Sequence, residues 1–303
     1  MNKILIIGSS GFIGSRLIKK IKAIDKNKLM VLLHKNFNFA DFEDFDVITS
    51  SVTNVNLEHF KRFKPDVIFH LGRLKGNGIF GRIRAAEKGK NANRRMIKYL
   101  SRNGLNPRTF YFSGTLVYGN KSSQTADEKS KISPISFSRE YHLAETPWYE
   151  ESLKSNANIS MLRLPWVVGK GSWFYHHYIH IALKHGFVPL YSSGKNWMSL
   201  IDIHDCCSLA LHLSRQKNIF KIVNLYNPNL IVRQNEFVEI ISEVLNIPVK
   251  KISLRKKIFS DNAFSEAMRF SLKVNSIHSD LYDNYHFKIN DLKTLVRQNI
   301  KLN

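Results

Sequence analysis

Short uninterrupted apolar runs alternate with longer stretches of helical spacing through the first half of the chain. "KILIIG" reads as a strand closed by Gly8, and "FIGSRLIKKIKAI" after it repeats apolar residues at helical intervals. "LMVLLH", "DVITS" and "PDVIFHLG" read as three further strands, the last apolar throughout, as a strand buried on both faces must be. A helix is predicted from about Arg84 to Arg102, then a fifth strand in "RTFYFSG". A helix opening near Ser136 leads to a sixth strand in "NISMLRLPWVVG". Strand and helix taking turns predict an α/β fold, a doubly wound parallel sheet covered on both faces. Beyond residue 170 the pattern loosens: "DCCSLALHLSRQ" and "RQNEFVEIISEVLN" are helical, and "FKIVNLYN" is a strand. The expected organisation is a doubly wound domain over 1–169 and a smaller α/β lobe over 170–303, with the chain interleaved between them.

"IIGSSGFIGSRL" places Gly8, Gly11 and Gly14 between the first strand and the first helix. In that setting the first glycine permits a sharp turn and the second lets a pyrophosphate approach the backbone. The third lets helix pack on strand, and the helix N-terminus faces the phosphate charge. Dinucleotide binding is the expectation. A carboxylate at the end of strand two would select NAD, and a basic residue NADP. His34 and Lys35 stand there and the nearest acid, Asp41, is distant, so the spacing leans to NADP over NAD.

Composition narrows the partners. The chain of 303 residues carries 46 Lys and Arg against 24 Asp and Glu, a formal charge of +22. The basic residues are dispersed and lack a nucleic-acid-binding motif, so the charge reads first as a compositional bias spread over a solvated surface, with phosphate-bearing small ligands ahead of nucleic acid as the functional reading. No apolar stretch approaches the roughly 20 residues of a membrane span, and "MNKILIIGSSGF" is too short in its apolar run for a signal peptide. Cys206 and Cys207 are adjacent in a predicted helix, which disfavours a disulfide framework and points to a reduced, cytoplasmic setting.

Four further stretches, in order, resemble the extended short-chain dehydrogenase/reductase family of sugar-nucleotide epimerases and dehydratases. "PDVIFHLG" is similar to the fourth-strand signature beside the cofactor, and "FSGTLVYG" to the fifth-strand signature. "LRLPWVVGKGSWF" is similar to the segment bridging cofactor and substrate lobes, and "SLIDIHDCCSLAL" to the motif opening the second lobe. The resemblance implies cofactor contacts at Gly8, Ser10, Gly11, Phe12, Ile13, Gly14, His34, Lys35, Ser51, Val52, Leu71, Gly72, Tyr141 and Pro165. It places Ser113 to Thr115 at the active-site Ser/Thr and implies a small-molecule substrate, a sugar nucleotide among the options. A homodimer through the helices after strands four and five is also implied.

The chain departs from that family at three places. Ser50 or Ser51 stands where an acid near the adenine is usual, and Met198 stands near an Arg that grips the substrate diphosphate. Counting back from Glu145 in "SPISFSREYHLAE" puts Phe137 at the usual Tyr and Tyr141 at the usual Lys. Phenylalanine has no exchangeable proton, so the expected catalytic set is Ser113, Thr115 and Tyr141, with Tyr141 moving the proton. The alternatives are a dinucleotide-binding protein without turnover, in which Phe137 and Tyr141 close the pocket, and a nucleic-acid or assembly partner using the basic surface.

His70 reads as a packed strand-end residue. His176, His177 and His180 lack the H-E-x-x-H arrangement of a metal helix, and no metal is expected. Trp166, Trp173 and Trp197 either shape a flat substrate pocket or serve as core. Asp205 reads as a helix-capping or lobe-positioning acid.

Overall fold

The computed structural model describes residues 2–24, 27–34, 42, 44–254, 263–283 and 285–300. The chain forms two compact units. The first comprises Met1–Ser113, Arg139–Arg163 and Ala210–Val223, and the second Gly114–Ser138, Leu164–Leu209 and Asn224–Asn303.

The first unit is built on strands β1 (Lys3–Ile7), β2 (Lys28–Leu33), β3 (Asp46–Thr49), β4 (Val67–His70), β5 (Arg108–Gly114), β6 (Ile159–Leu164) and β7 (Ile222–Asn224). They form one seven-stranded sheet in the order β7-β6-β5-β4-β1-β2-β3. The pairs β3–β2, β2–β1, β1–β4 and β4–β5 are all parallel. Every residue of β4 and β6 is buried, as are all but the first of β1 and β2, which explains why these strands read as apolar runs without alternation. The edge strand β7 comes from the stretch "FKIVNLYN" of the second half of the sequence, so the sheet has one strand more than the six apolar runs of the first half suggest.

Four helices accompany this sheet in sequence: α1 (Phe12–Ile24), α2 (Glu58–Phe63), α3 (Gly78–Arg102) and α4 (Ser136–Ser152). Helix α3 begins at Gly78, six residues before the periodicity suggests. Its first turns carry Ile79, Phe80 and Ile83 in exposed positions, so the buried stripe that a periodicity reading detects starts only at Ala86. Gly76 and Gly81 bring the preceding loop against that first turn: a Cβ on Gly76 would lie 2.0 Å from the Gly81 carbonyl oxygen.

Helices α3 and α4 pack closely where Gly89 faces Ala144, a Cβ at Gly89 falling 3.3 Å from that of Ala144. Asn93 of α3 donates its amide to the Ala144 carbonyl at 2.8 Å and accepts from Nε2 of His70 at 3.0 Å. Pro147 lies inside α4 and cannot supply the N–H that Leu143 would receive; the Thr146 hydroxyl fills that role at 2.8 Å. Trp148, fully buried, stacks on Tyr111 and meets the His70 ring edge-on.

In the second unit a three-stranded sheet joins Ile231–Arg233, Trp197–Asp202 and Trp166–Val168. Its aromatic core gathers Phe174, Tyr178 and Phe237, with Trp166 and Trp173 packed against it. Asp202 caps the helix Ile203–Arg215, its Oδ1 accepting from the His204 N–H at 2.7 Å. Asp205 instead receives the backbone N–H groups of Lys288 and Ile289, both at 3.1 Å, and so holds that loop. Among the described residues no helix is long and apolar enough to cross a membrane.

Burial pushes the His70 imidazole down from 6.5 to about 4, against the raising effect of its bond to Asn93. Between those values the unfolded chain binds a proton that the folded chain refuses. The stability supplied by neutral His70 is therefore complete above pH 6.5 and lost as pH falls to about 4, a change of about 3 kcal/mol. Urea unfolding followed by tryptophan fluorescence should show this fall, and His70→Gln should flatten it. An equal pH slope in both proteins would contradict a buried neutral His70.

Candidate functional site

The register of the sheet decides which residues share an edge. Ile7 pairs with His70 and His70 with Tyr111, so β1, β4 and β5 reach that row together. One or two residues further along lie Gly8, Leu71 with Gly72, and Ser113. Parallel strands end in such a crevice, outside their carboxyl termini, and doubly wound sheets bind ligands there.

The glycine loop is fixed by contact of backbone with backbone. Gly8 has φ +89°, and a Cβ there would lie 2.7 Å from the Gly72 nitrogen and 2.8 Å from the Leu71 carbonyl carbon. A Cβ on Gly14 would meet the Gly8 carbonyl oxygen at 2.3 Å, and one on Gly11 the same oxygen at 3.2 Å. That oxygen already accepts the Gly11 N–H at 3.1 Å. Ser9 is buried, and its hydroxyl donates to the Ile6 carbonyl at 2.8 Å, anchoring the turn. Helix α1 starts at Phe12, so its N-terminal N–H groups open onto the loop. Gly72 also adjoins Val52, whose Cγ1 would stand 3.1 Å from a Cβ there. The Ser51–Val55 turn after β3 is held by Asn54 and Val55 N–H groups donating to the Ser51 carbonyl, and by a 2.7 Å bond between the Ser51 and Thr53 hydroxyls. A loop with no room for side chains, at a helix N-terminus, fits a dinucleotide pyrophosphate.

The structure thus gathers Gly8, Ser10, Gly11, Phe12, Ile13, Gly14, Ser51, Val52, Leu71 and Gly72 at one edge of the first unit. His34 is exposed at the end of β2, and Lys35 and Asp41 lie outside the described residues. Thr115 and Pro165 belong to the second unit, Thr115 buried at the head of a 3₁₀ turn and Pro165 half-buried before Trp166. The Phe137 side chain is likewise outside the described set. An open surface cavity of about 450 Å³ lies elsewhere, against the early residues of β2 and β3, including Lys28, Met30 and Asp46.

Ser113 is the polar end of β5. Its hydroxyl donates to Oε2 of Glu145 on α4, and Oε1 of Glu145 is 3.0 Å from Nδ1 of His142. The Glu145 side chain is 1% exposed and that of His142 19%. Tyr111 lies close by, its phenol held protonated first by burial and then by the Glu145 charge, with Asn93 and Arg73 acting in the opposite sense. The guanidinium of Arg73 sits 5.1 Å from the centroid of the Tyr141 ring, one turn before Glu145. Helical spacing alone places His142 and Glu145 on one face; the bond of Glu145 to Ser113 joins residues 32 apart and is not visible in any local pattern.

The other sequence candidates fall in the second unit. Trp166 and Trp173 pack at 4.4 Å between centroids, and the Trp197 ring has the Arg233 guanidinium at 4.6 Å and the Lys273 ammonium at 5.2 Å from its centroid. His176 and His180 are exposed, while His177 packs on Phe264 at 4.7 Å. Among the described residues no group of three or more His, Cys, Asp or Glu could hold a metal ion.

Gly14→Ala drives a methyl into the Gly8 carbonyl, and overpacking of this kind costs about 1–3 kcal/mol. The variant should lose the rise in melting temperature that NAD or NADP gives the parent protein. An unchanged ligand-induced rise would contradict the cradle.

The NAD dependent epimerase/dehydratase family matches residues 4–226. Similar solved structures include dTDP-glucose 4,6-dehydratase from Bacillus anthracis in complex with NAD, at 15% identity and TM-score 0.80, covering 99% of this chain and 96% of that one. UDP-N-acetylglucosamine 4-epimerase from Methanobrevibacter ruminantium in complex with UDP-N-acetylmuramic acid is similar at 17% identity and TM-score 0.79, covering 99% and 97%. UDP-glucuronic acid 4-epimerase from Bacillus cereus in complex with NAD follows at 16% and 0.79, covering 99% and 96%. No curated protein matches the chain. At these identities the solved structures show a shared Rossmann-type fold. The family match, spanning the glycine loop, the Ser113 edge and all of α4, establishes that the chain belongs to the NAD dependent epimerase/dehydratase family.

Proposed function

We propose that this protein binds a nicotinamide dinucleotide at the glycine loop and uses it in redox chemistry on a hydroxyl or carbonyl of a sugar or sugar nucleotide. The observation that carries the reading is the coincidence, on one sheet edge, of the loop formed by Gly8, Gly11 and Gly14 with the Ser113 hydroxyl. Membership of an NAD dependent family supports it. The dinucleotide supplies a hydride acceptor or donor when bound; the chain supplies the cradle and the groups around the reacting oxygen. Gly8, Gly11 and Gly14 are proposed to hold the pyrophosphate, Ser51, Val52 and Gly72 to border the adenosine half, and Ser113 to meet the reacting oxygen. Tyr141 is proposed as the phenol beside that oxygen, its ring fixed under Arg73.

His34, exposed where a ribose-binding carboxylate would select NAD, supports a preference for NADP. The solved neighbours of dehydratase and epimerase type point to a diphosphate-linked sugar as substrate, although Met198 is apolar and buried and so offers no charge to phosphate.

Calorimetric titration should give a lower Kd for NADP than for NAD; the reverse order would show that groups other than His34 read the ribose. Incubation with dTDP-glucose, UDP-glucose and UDP-N-acetylglucosamine, with either dinucleotide, should then convert at least one sugar, read by proton NMR. Dinucleotide binding with no conversion of any sugar would replace this reading with that of a protein that holds the dinucleotide without turnover.

A further inference from the structure

Glu145 raises a question that the dinucleotide site leaves open. It is a carboxylate buried to within 1% of full enclosure, and its two oxygens have two partners, Ser113 and His142. An ionised carboxylate only accepts hydrogen bonds. Both partners therefore donate to it: Ser113 through its single hydroxyl hydrogen, His142 through Nδ1–H. Ser113 is left with lone pairs alone to offer across the sheet edge, and His142 is left with Nε2 on its partly exposed side.

That arrangement has a direction. A serine that has given its hydrogen away cannot donate to a carbonyl, but it can accept from a hydroxyl. Around the pair, Tyr149 of α4 meets the His142 ring edge-on at 6.5 Å, and Arg163 lies over the Tyr149 ring. From β5 come Ser113 and Tyr111, the latter held protonated by burial. From the segment after β4 comes Arg73, and from α3 the neutral Asn93, bound to the Ala144 carbonyl. Arg73 covers the Tyr141 ring as a permanent cation with no proton to take or give. Glu145 is the group bonded directly to the edge hydroxyl, and His142 is bonded to Glu145 in turn.

We infer that Glu145, oriented by His142, is the proton store for the reaction, and that Ser113 passes the proton between it and the reacting oxygen. The inference rests on the functional reading above. When a substrate hydroxyl is oxidised, its O–H bond breaks and that proton joins Ser113 Oγ. The hydrogen originally on Ser113 moves along the existing hydrogen bond to Glu145 Oε2, which becomes neutral. The hydride from carbon has its acceptor in the nicotinamide dinucleotide. In reduction of a carbonyl the proton returns by the same two bonds, so an epimerisation needs no net proton from water. Ser113 touches the reacting oxygen; Glu145 and His142 act through it. The route replaces the Tyr and Lys that Phe137 and Tyr141 displace, and it leaves Tyr141 a hydrogen-bonding role.

Two measurements on the full chain test this. The first needs no turnover: ¹⁵N NMR of the His142 ring, recorded at one pH in the parent and in Glu145→Gln without dinucleotide. The parent should show Nδ1 protonated and hydrogen-bonded, and Glu145→Gln should move the Nδ1 resonance; an unmoved resonance overturns the inference. The second is the pH profile of sugar conversion. Glu145→Gln and Ser113→Ala should each lower kcat by about 10²–10⁴-fold and remove the acid limb of the profile, while Tyr141→Phe retains that limb. Loss of the limb in Tyr141→Phe with its retention in Glu145→Gln overturns the inference. A His142 resonance that responds to Glu145→Gln, with no conversion of any sugar nucleotide, would instead locate the failure in the functional reading and deny the relay its substrate end.

Discussion

The site depends on a backbone-to-backbone approach that tolerates no side chain. Gly8 turns with positive φ against the peptide joining Leu71 and Gly72, and Gly14 closes on the Gly8 carbonyl. This contact fixes where α1 begins relative to β1 and how closely β4 follows it. Every other feature of the edge is placed from there. The parallel register carries the position of His70 to Tyr111, and Ser113 emerges two residues later on the same face of β5.

Helix α4 is the second requirement, and it is held to the sheet by polar as well as apolar contacts. Asn93 links the end of β4 to the α4 backbone, and Gly89 lets the two helices close on each other. Arg82 reaches Glu140 at 3.4 Å near the start of α4. These contacts set the rotation of α4, and with it the side from which Glu145 approaches Ser113. Along α4, Tyr141 lies under Arg73 while Glu145 joins His142 to Ser113 at the end of β5.

Much of this was legible in the sequence for a physical reason. Buried parallel strands are apolar on both faces, so β1, β2, β4 and β6 announce themselves as runs, and the glycines are forced by sterics wherever a dinucleotide loop must form. The start of α3 was not legible because Ile79, Phe80 and Ile83 face outward and break the expected stripe. Strand β7 was read as a strand, but its place in the large sheet was not legible, because its partner β6 lies some 60 residues away in sequence, a separation that no local window spans. The roles of Asp202 and Asp205 separate only in three dimensions: one caps its own helix, and the other binds backbone more than 80 residues on. The bond between Ser113 and Glu145 is of the same kind, with each residue recognisable alone and their pairing supplied by the packing of α4.

The central claim is that a nicotinamide dinucleotide lies across the Gly8–Gly14 loop and the ends of β3 and β4. Hydrogen exchange of the full chain, with and without saturating NAD or NADP and resolved to short peptides, addresses it directly. The account predicts slowed exchange in the segments spanning residues 8–15, 50–55 and 71–74. Protection confined to other segments, or none in the glycine loop, would contradict it.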